Sequence, residues 1–463
     1  MIDPTLLRAA ATFAGEYLST LPGRAVAPDA DAVARVDALD RPFPESPCDP
    51  RAVLEELHRV GSPATVASAG PRYFGFVIGG SLPAALAANW LAAAWDQDAG
   101  LAVAAPSAAR IEAVALHWLL DALSLPRDCA AGFVTGATMA NFTALATARH
   151  ALLARAGWDV EARGVFGAPE LRVVVGDEVH VSVLKALALL GLGRDRVTRV
   201  PVDAQGRMRA DALPALDART ILCLQAGNVN TGAVDPARAI IGRAREAGAW
   251  VHVDGAFGLW AAAAPSRAPL VDGVSLADSW ALDAHKWLNV PYDSGIAICR
   301  DGAAMRAAMS AQAAYLARDD ARDPDEYTPE LSRRARGVEV WAALASLGRS
   351  GLAEMIERDC RHAARFAEGL RAAGYEVLNE VTLNQVLVRF GDDDTTRRVV
   401  RAIQEDGTCW CGGTVWRGRA AMRISVSSWA TTERDVAMSL EAMVRVARRV
   451  TGIETRERGT EAH

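Results

Sequence analysis

No run of apolar residues in this 463-residue chain reaches the roughly 18 that would span a bilayer. Met1 to Arg24 has neither the basic start nor the apolar middle of a secretory signal. Cysteine is scarce and odd in number. Of Cys48, Cys129, Cys223, Cys299, Cys360, Cys409 and Cys411, only the last two are close, and Cys-Trp-Cys is not a zinc spacing. Reduced thiols in a cytoplasmic protein, with no metal centre, are the expectation. No Gly-Lys-Ser/Thr ending completes a nucleotide-type phosphate loop. Positive charge is not in excess: the formal net charge is −6, which favours neither nucleic acid nor an anionic membrane as partner. No internal repeat is visible. What is present is a chain 51% hydrophobic and 23% charged, long enough for one large core and a smaller one.

Met1 to about Gly70 reads as helices joined by a proline-rich connector, with Asp49 as N-cap for a helix over Arg51–Val60. The piece is too interrupted to hold its own core and is expected to lie against another surface, such as a second subunit. Pro71 to Gly80 is an aromatic loop bounded by glycines, either a buried turn or an apolar wall for a substrate side chain. Helices are expected over Pro83–Trp95 and Pro106–Leu123. From Ala131 to Arg300, short apolar runs alternate with helical stretches. The runs are Gly132–Thr135, Val173–Gly176, Val197–Val202, Ile221–Gln225, Trp250–Asp254, Trp280–Asp283 and Gly295–Cys299. This alternation predicts an α/β domain with a mainly parallel seven-stranded sheet between helices. Ala303 to Gly337 is rich in charge, including Arg322, Asp323 and Asp325, and reads as a mobile loop, either a solvated linker or a lid. A long helix from Val338 then leads into a smaller α+β region. The expected division is an N-terminal segment 1–70, a large domain 71–337 and a C-terminal domain 338–463.

Four stretches at predicted strand ends carry chemistry. Thr135-Gly136-Ala137-Thr138 opens a helix, where backbone N–H groups and a hydroxyl can meet a phosphate. His180 follows a strand and offers a flat ring for stacking. Asp254 ends the buried run Val251-His252-Val253-Asp254, where a carboxylate needs a cationic or strongly donating partner. Lys286 stands in the apolar stretch Ser279–Leu288, a setting in which a lysine amine becomes nucleophilic enough for a Schiff base. A phosphate cradle, a stacking ring, an acid for a pyridine nitrogen and a Schiff-base lysine together match what pyridoxal 5'-phosphate (PLP) requires.

With Thr-Gly-Ala-Thr-Met-Ala-Asn at 135–141, Asp-Glu-Val-His at 177–180, His-Val-Asp-Gly-Ala at 252–256 and Ala-His-Lys-Trp-Leu at 284–288, the chain resembles the PLP-dependent group II amino-acid decarboxylases. These are the aromatic-L-amino-acid, histidine and glutamate decarboxylases. The resemblance runs from about Pro71 to Ser427. It implies the aspartate aminotransferase-like fold (PLP fold type I) and a homodimer. It also implies roles for residues. Lys286 would hold PLP, Asp254 would keep the pyridine nitrogen protonated, and His180 would stack on the ring beside Ala256. Gly136, Ala137, Thr138 and His285 would sit at the phosphate, with Asn228 near the cofactor. Asp283 departs from the asparagine usual in aromatic-type relatives, so it is expected to point away from the phosphate or to yield its place.

The implied reaction is decarboxylation of an L-amino acid to the amine and CO2. Tyr327, with Tyr315 second, is the expected acid that returns a proton to Cα. Phe76, Val77 and Ile78 occupy the region that meets the substrate side chain in relatives, which favours an aromatic or apolar amino acid. Arg423 is a candidate anchor for a carboxylate. The alternatives are another fold-type-I reaction (aldehyde synthesis, transamination or carbon–carbon lysis) and a catalytically inactive scaffold of the same fold.

Overall fold

The computed structural model describes residues 3–311 and 322–452. The chain forms two compact units: Gly79–Ala364 with Asn379–Val386, and Met1–Ile78 with Arg365–Leu378 and Leu387–His463.

The first unit is built on seven strands: β1 (Ala130–Val134), β2 (Arg172–Gly176), β3 (Thr198–Val200), β4 (Thr220–Gln225), β5 (Trp250–Asp254), β6 (Ser279–Asp283) and β7 (Gly295–Cys299). Their order is β1-β7-β6-β5-β4-β2-β3. Only β7 runs against its neighbours; the other pairings are parallel. Every residue of β4, β5, β6 and β7 is buried. Strands covered on both faces need apolar residues at successive positions, which explains why they read as continuous runs. The helix Ala137–Arg155 covers one face. Its small residues Ala140, Ala144 and Ala148 let it approach closely, against Val134, Ala281 and Ala297 and against Val175 and Cys223. The parallel strands point their carboxyl ends the same way, and the loops that follow them carry most of the predicted site.

Of Ala303 to Gly337, residues 312–321, with Arg318, Asp319 and Asp320, lie outside the described residues, and the rest differs from the expected mobile charged loop. Gly302–Met309 is a helix, and the charges of the described part are internal anchors. Asp323 accepts the Ala102 N–H at 2.7 Å. Asp325 donates its N–H to the Gly100 carbonyl at 3.0 Å. Glu112, 1% exposed, receives Arg333 at 2.7 Å and Arg322 at 3.1 Å. Charge composition alone does not distinguish a solvated loop from a buried ion-pair cluster. Beyond this segment, the long helical stretch Gly337–Ala372 is two helices that meet at Gly348, where φ is 60° and glycine is required.

In the second unit the helices Pro4–Thr20 and Pro50–Ala64 pack together, and Asp49 caps the latter as expected. The small sheet has the order β10-β11-β9-β8, with β8 (Glu376–Val377), β9 (Gln385–Arg389), β10 (Gly412–Trp416) and β11 (Arg419–Ser425). β10 and β11 form a hairpin through Arg417 and Gly418, both at positive φ as a tight hairpin turn demands. The N-terminal segment is not a separate piece. The buried guanidinium of Arg72 donates to the carbonyls of Thr408, Pro22 and Arg24, and the Val26 N–H donates to Gly407. These bonds place residues 1–78 with the C-terminal region, so the compact boundary falls after Ile78 rather than after Gly70. The second boundary falls after Ala364, inside the long helical stretch, and not at Gly337.

Candidate active site

β6 delivers Lys286 through a tight turn. The N–H groups of Ala284 and His285 both donate to the Ser294 carbonyl, at 3.0 and 3.2 Å, so the turn closes onto the start of β7. Asn289 sits at φ 58° in this turn, donates to the Trp287 carbonyl and accepts the Gly80 N–H at 2.6 Å. A side chain at Gly79 is impossible, since its Cβ would lie 2.0 Å from the Lys286 carbonyl oxygen. Trp287 is fully buried and donates its indole N–H to Asp359 at 2.8 Å. Lys286 is therefore fixed by packing on both sides of its backbone.

The Lys286 Nζ lies 3.0 Å from Asp283 Oδ2, with the two side chains 18% and 3% exposed. Asp283 does not point away. Its Oδ1 accepts the Ala137 N–H at 2.6 Å, which sets a carboxylate on the first turn of the 137–155 helix. Charge of that sign is favoured at a helix N-terminus, and the lysine ammonium neutralises it. His285 adds a directed donor. Its Nδ1 accepts the Ser294 N–H at 3.2 Å, so the neutral ring carries its proton on Nε2, 3.4 Å from Asp283 Oδ1. Burial holds His285 below its ordinary histidine value and keeps it neutral, with Asp283 opposing. Tyr292 stacks on the imidazole at 4.3 Å.

Asp254, at the end of β5, is the centre of a second group. Its Oδ1 accepts the Ala256 N–H at 3.2 Å and its Oδ2 accepts Nδ2 of Asn141 at 3.2 Å. Ser182 Oγ lies 3.4 Å from Oδ2, accepts from Asn141 at 3.1 Å, and is 2.8 Å from His180 Nδ1. His180 is the N-cap of the Val181–Leu189 helix. Asp254, Ala256 and His180 are thus brought together, and Gly136, Ala137, Asp283, His285 and Lys286 form the adjoining cluster. Their backbones meet where the Asp283 N–H donates to the Ala256 carbonyl at 3.0 Å. Thr138 is the next residue of the same helix turn. Asn228 follows β4, and its Oδ1 caps the N–H groups of Asn230 and Thr231.

Tyr327 requires a correction. It ends a short 3-10 turn beside the edge strand β1, with its backbone against Gly132 and the Arg322 guanidinium 4.4 Å from its ring centre. With Arg322 it lies beside Arg127–Ala131 at the amino end of β1, whereas Lys286 follows the carboxyl end of β6. Tyr315 lies outside the described residues. Phe76, Val77, Ile78 and Arg423 belong to the other compact unit. Phe76 and Val77 have φ of 53° and 59°, which is strained backbone for a β-branched or aromatic residue. Phe76 is 59% exposed and lies 5.5 Å from Trp410, which stacks on Tyr73 at 5.0 Å. Burial pushes the Tyr73 hydroxyl up to about 12, with the Arg423 charge opposing.

Sequence reasoning missed Asn141, Ser182, His252 and Asp359. It also missed how rare the key residue is: Lys185 and Lys286 are the only lysines in the chain. Lys185 is exposed on a helix, so one lysine alone is set in a buried polar cluster.

These residues fit PLP. A largely buried primary amine stands beside an acid supplied with N–H donors. A Cβ at Gly136 would lie 3.1 Å from the His285 ring and 3.4 Å from Asp283, a tight fit, and one at Gly295 would lie 2.4 Å from Gly136 Cα, which only glycine avoids. Two buried polar atoms, Asn228 Nδ2 and Ser294 Oγ, have no partner among the described residues. The Ala137 N–H is taken by Asp283 Oδ1, and His285 Nε2 lies 3.4 Å from the same oxygen.

Residues 34–390 match the pyridoxal-dependent decarboxylase conserved domain. An aromatic-L-amino-acid decarboxylase of Bacillus atrophaeus is 26% identical over 454 residues, covering 92% of each chain. An L-2,4-diaminobutyrate decarboxylase of Rhizobium meliloti is 28% identical over 434 residues, 89% of this chain and 85% of that one. The crystal structure of Oryza sativa TDC with PLP and tryptamine matches with a TM-score of 0.89 at 25% identity, covering 96% of this chain and 97% of that one. The chain is a carboxy-lyase of PLP fold type I, and it belongs to the pyridoxal-dependent decarboxylase family.

Proposed function

We propose that the protein decarboxylates an L-amino acid with an aromatic or apolar side chain to the amine and CO2. The observation that carries the chemistry is a lysine only 18% exposed, paired with Asp283, whose other oxygen accepts from the first turn of the 137–155 helix. The substrate class rests on the segment Phe76–Ile78, where an exposed Phe76 ring joins Trp410 and Tyr73 in an aromatic group. Arg423 is the proposed anchor for a substrate carboxylate.

Bound PLP supplies a cationic ring that takes up the electron pair left at Cα as CO2 departs. The chain's own residues do the rest. Lys286 holds the cofactor through Nζ. Asp283 Oδ2, 3.0 Å from Nζ, would hold a proton on that amine whenever it is free. Asp254, a carboxylate that accepts from Asn141 and the Ala256 N–H, would hold a proton on the ring nitrogen. His180, fixed at Nδ1 by Ser182, sets its ring beside Asp254 as the stacking surface, with Ala256 alongside. Gly136, Ala137, Thr138 and His285 would form the phosphate cradle, and Asn228 Nδ2, buried without a partner among the described residues, would be a further donor toward the cofactor.

A second reading is oxygen-dependent release of the aldehyde, ammonia and hydrogen peroxide with CO2. The placement of Tyr327 on Arg322 at the amino end of β1 favours it. We also infer a homodimer, supported by the exposed Leu7, Val53 and Leu57 of the N-terminal helices. Residence in a reducing cytoplasm is supported by seven free thiols.

The test is to incubate the holoenzyme with single amino acids under air and measure CO2, amine, aldehyde and peroxide. CO2 and amine from an aromatic or large apolar amino acid support the first reading. Aldehyde with stoichiometric peroxide supports the second. Turnover confined to glutamate, aspartate or diaminobutyrate refutes the proposed substrate class.

A further inference from the structure

β5 reads Trp250-Val251-His252-Val253-Asp254, and its pleat sends 250, 252 and 254 to one face. On that face His252 stands in register between Cys223 of β4 and Ser279 of β6. The 137–155 helix covers it and contributes Asn141. The buried polar contacts are continuous. Trp250 Nε1 donates to Ser279 Oγ at 2.9 Å, and Ser279 Oγ is 3.0 Å from His252 Nδ1. His252 Nε2 is 2.7 Å from Asn141 Oδ1, and Asn141 Nδ2 is 3.2 Å from Asp254 Oδ2.

We propose that Trp250, Ser279, His252 and Asn141 form a one-way hydrogen-bond relay whose purpose is to hold Asp254 as the charged partner of the PLP ring nitrogen. The last clause rests on the proposed function; the relay itself does not.

The direction follows from the ends. An indole N–H can only donate, and a carboxylate can only accept. Between them each group has one consistent assignment. Ser279 accepts from Trp250 and donates its hydroxyl proton to His252 Nδ1. The imidazole is then the neutral Nε2–H form and donates to Asn141 Oδ1. This fixes the amide so that its NH2 faces Asp254 and Ser182. The reverse arrangement would aim the amide oxygen at the carboxylate. Burial pushes His252 down to about 4 against the opposing pull of Asp254, so the ring stays neutral at pH 7. The charged or titratable groups nearest it are Asp254 and the Cys223 thiol, itself pushed up to about 12.

Asn141 is decisive because the alternative donor is committed. Ser182 has one hydroxyl proton, and its 2.8 Å contact to His180 Nδ1 is shorter than its 3.4 Å contact to Asp254. The Ser182 N–H also points at that Nδ1, at 3.3 Å, which makes Nδ1 an acceptor. Asp254 therefore depends on the Ala256 N–H and on Asn141. Asn141, His252, Ser279 and Trp250 act through Asp254 and are positioning residues.

The test has two readouts. In holoenzyme labelled with 15N-histidine, NMR should show His252 as the neutral Nε2–H form, unchanged from pH 6 to 8. An Nδ1–H form or an imidazolium overturns the relay, and this needs no variant. The second readout uses PLP labelled with 15N in the ring, with Asn141→Ala, His252→Phe and His252→Gln checked for native circular dichroism. Asn141→Ala and His252→Phe should shift the ring nitrogen toward the unprotonated value and weaken PLP binding roughly tenfold or more. His252→Gln keeps an N–H at the Nε2 position and should stay near native on both. If Asn141→Ala and His252→Phe keep a protonated ring nitrogen and native PLP affinity, the relay is only packing and the proposal fails. If the native protein shows the Nε2–H form yet binds PLP with an unprotonated ring nitrogen or not at all, the role given to Asp254 fails and the relay's direction stands.

Discussion

Asp359 is a fully buried carboxyl that accepts the indole N–H of Trp287, the residue after Lys286, and has Arg358 3.6 Å away. Burial pushes its pKa from 3.8 up to about 8, with Arg358 and the Trp287 N–H pulling the other way. The folded protein thus holds this proton where the unfolded chain releases it. Between about pH 4 and 8 the folded state binds more protons, so stability attributable to Asp359 falls as pH rises and levels off above the folded value. Asp359→Asn keeps an acceptor for Trp287 and removes the titration. Its stability advantage over the native protein should grow by about 1.4 kcal/mol per pH unit, or about 2.7 kcal/mol from pH 5 to 7. Other perturbed groups, such as Asp235 at about 6, titrate in both proteins and cancel in the difference. Urea unfolding of both PLP-saturated proteins at pH 5, 6, 7 and 8 measures it. A difference that stays constant from pH 5 to 7 would refute the claim that the fold stores a protonated acid under the lysine turn.

Three other perturbations have defined outcomes. Glu112→Ala leaves the fully buried Arg333 side chain without its carboxylate and should cost about 3–5 kcal/mol in urea unfolding; a loss under about 1 kcal/mol would mean the pair is relaxed in solution. Tyr327→Phe should leave kcat within about twofold of native, because the ring packs on Arg322 beside β1; a large drop in kcat would return its hydroxyl to the reaction. Gly295→Ala places a Cβ 2.4 Å from Gly136 Cα, should destabilise by about 1–3 kcal/mol and should loosen PLP in a fluorescence titration; unchanged PLP affinity would show that the cradle tolerates a side chain.

The large sheet was legible because its strands are buried on both faces. All seven predicted runs overlap observed strands, and Pro83–Trp95 matches to the residue. The small sheet was harder. β10 begins Gly412-Gly413 with no apolar alternation, and its identity comes from pairing with β11 across the Arg417-Gly418 turn. The charged segment after β7 was misread because ion-pair burial leaves no compositional mark: Arg333 and Glu112 lie 221 positions apart in sequence. In the site, Lys286, Asp254, His180 and the Gly136 turn were visible as strand-end residues. Asn141, Ser182 and Ser279 were not, since single polar residues in helices and strands look like any others until the fold sets them within 3.4 Å of another buried polar group. The alternation Trp250, His252, Asp254 was the available signal, as three side chains that share one face of a buried strand must satisfy one another.

The central claim is that Lys286 carries the cofactor. Borohydride reduction of the holoenzyme, followed by peptide mapping, reads it directly, because Lys185 is the sole competitor in the sequence. A pyridoxyl group on Lys286, absent in Lys286→Ala along with CO2 release, is the predicted result. A label on Lys185, or a Lys286→Ala variant that still traps PLP and turns over, would contradict the account.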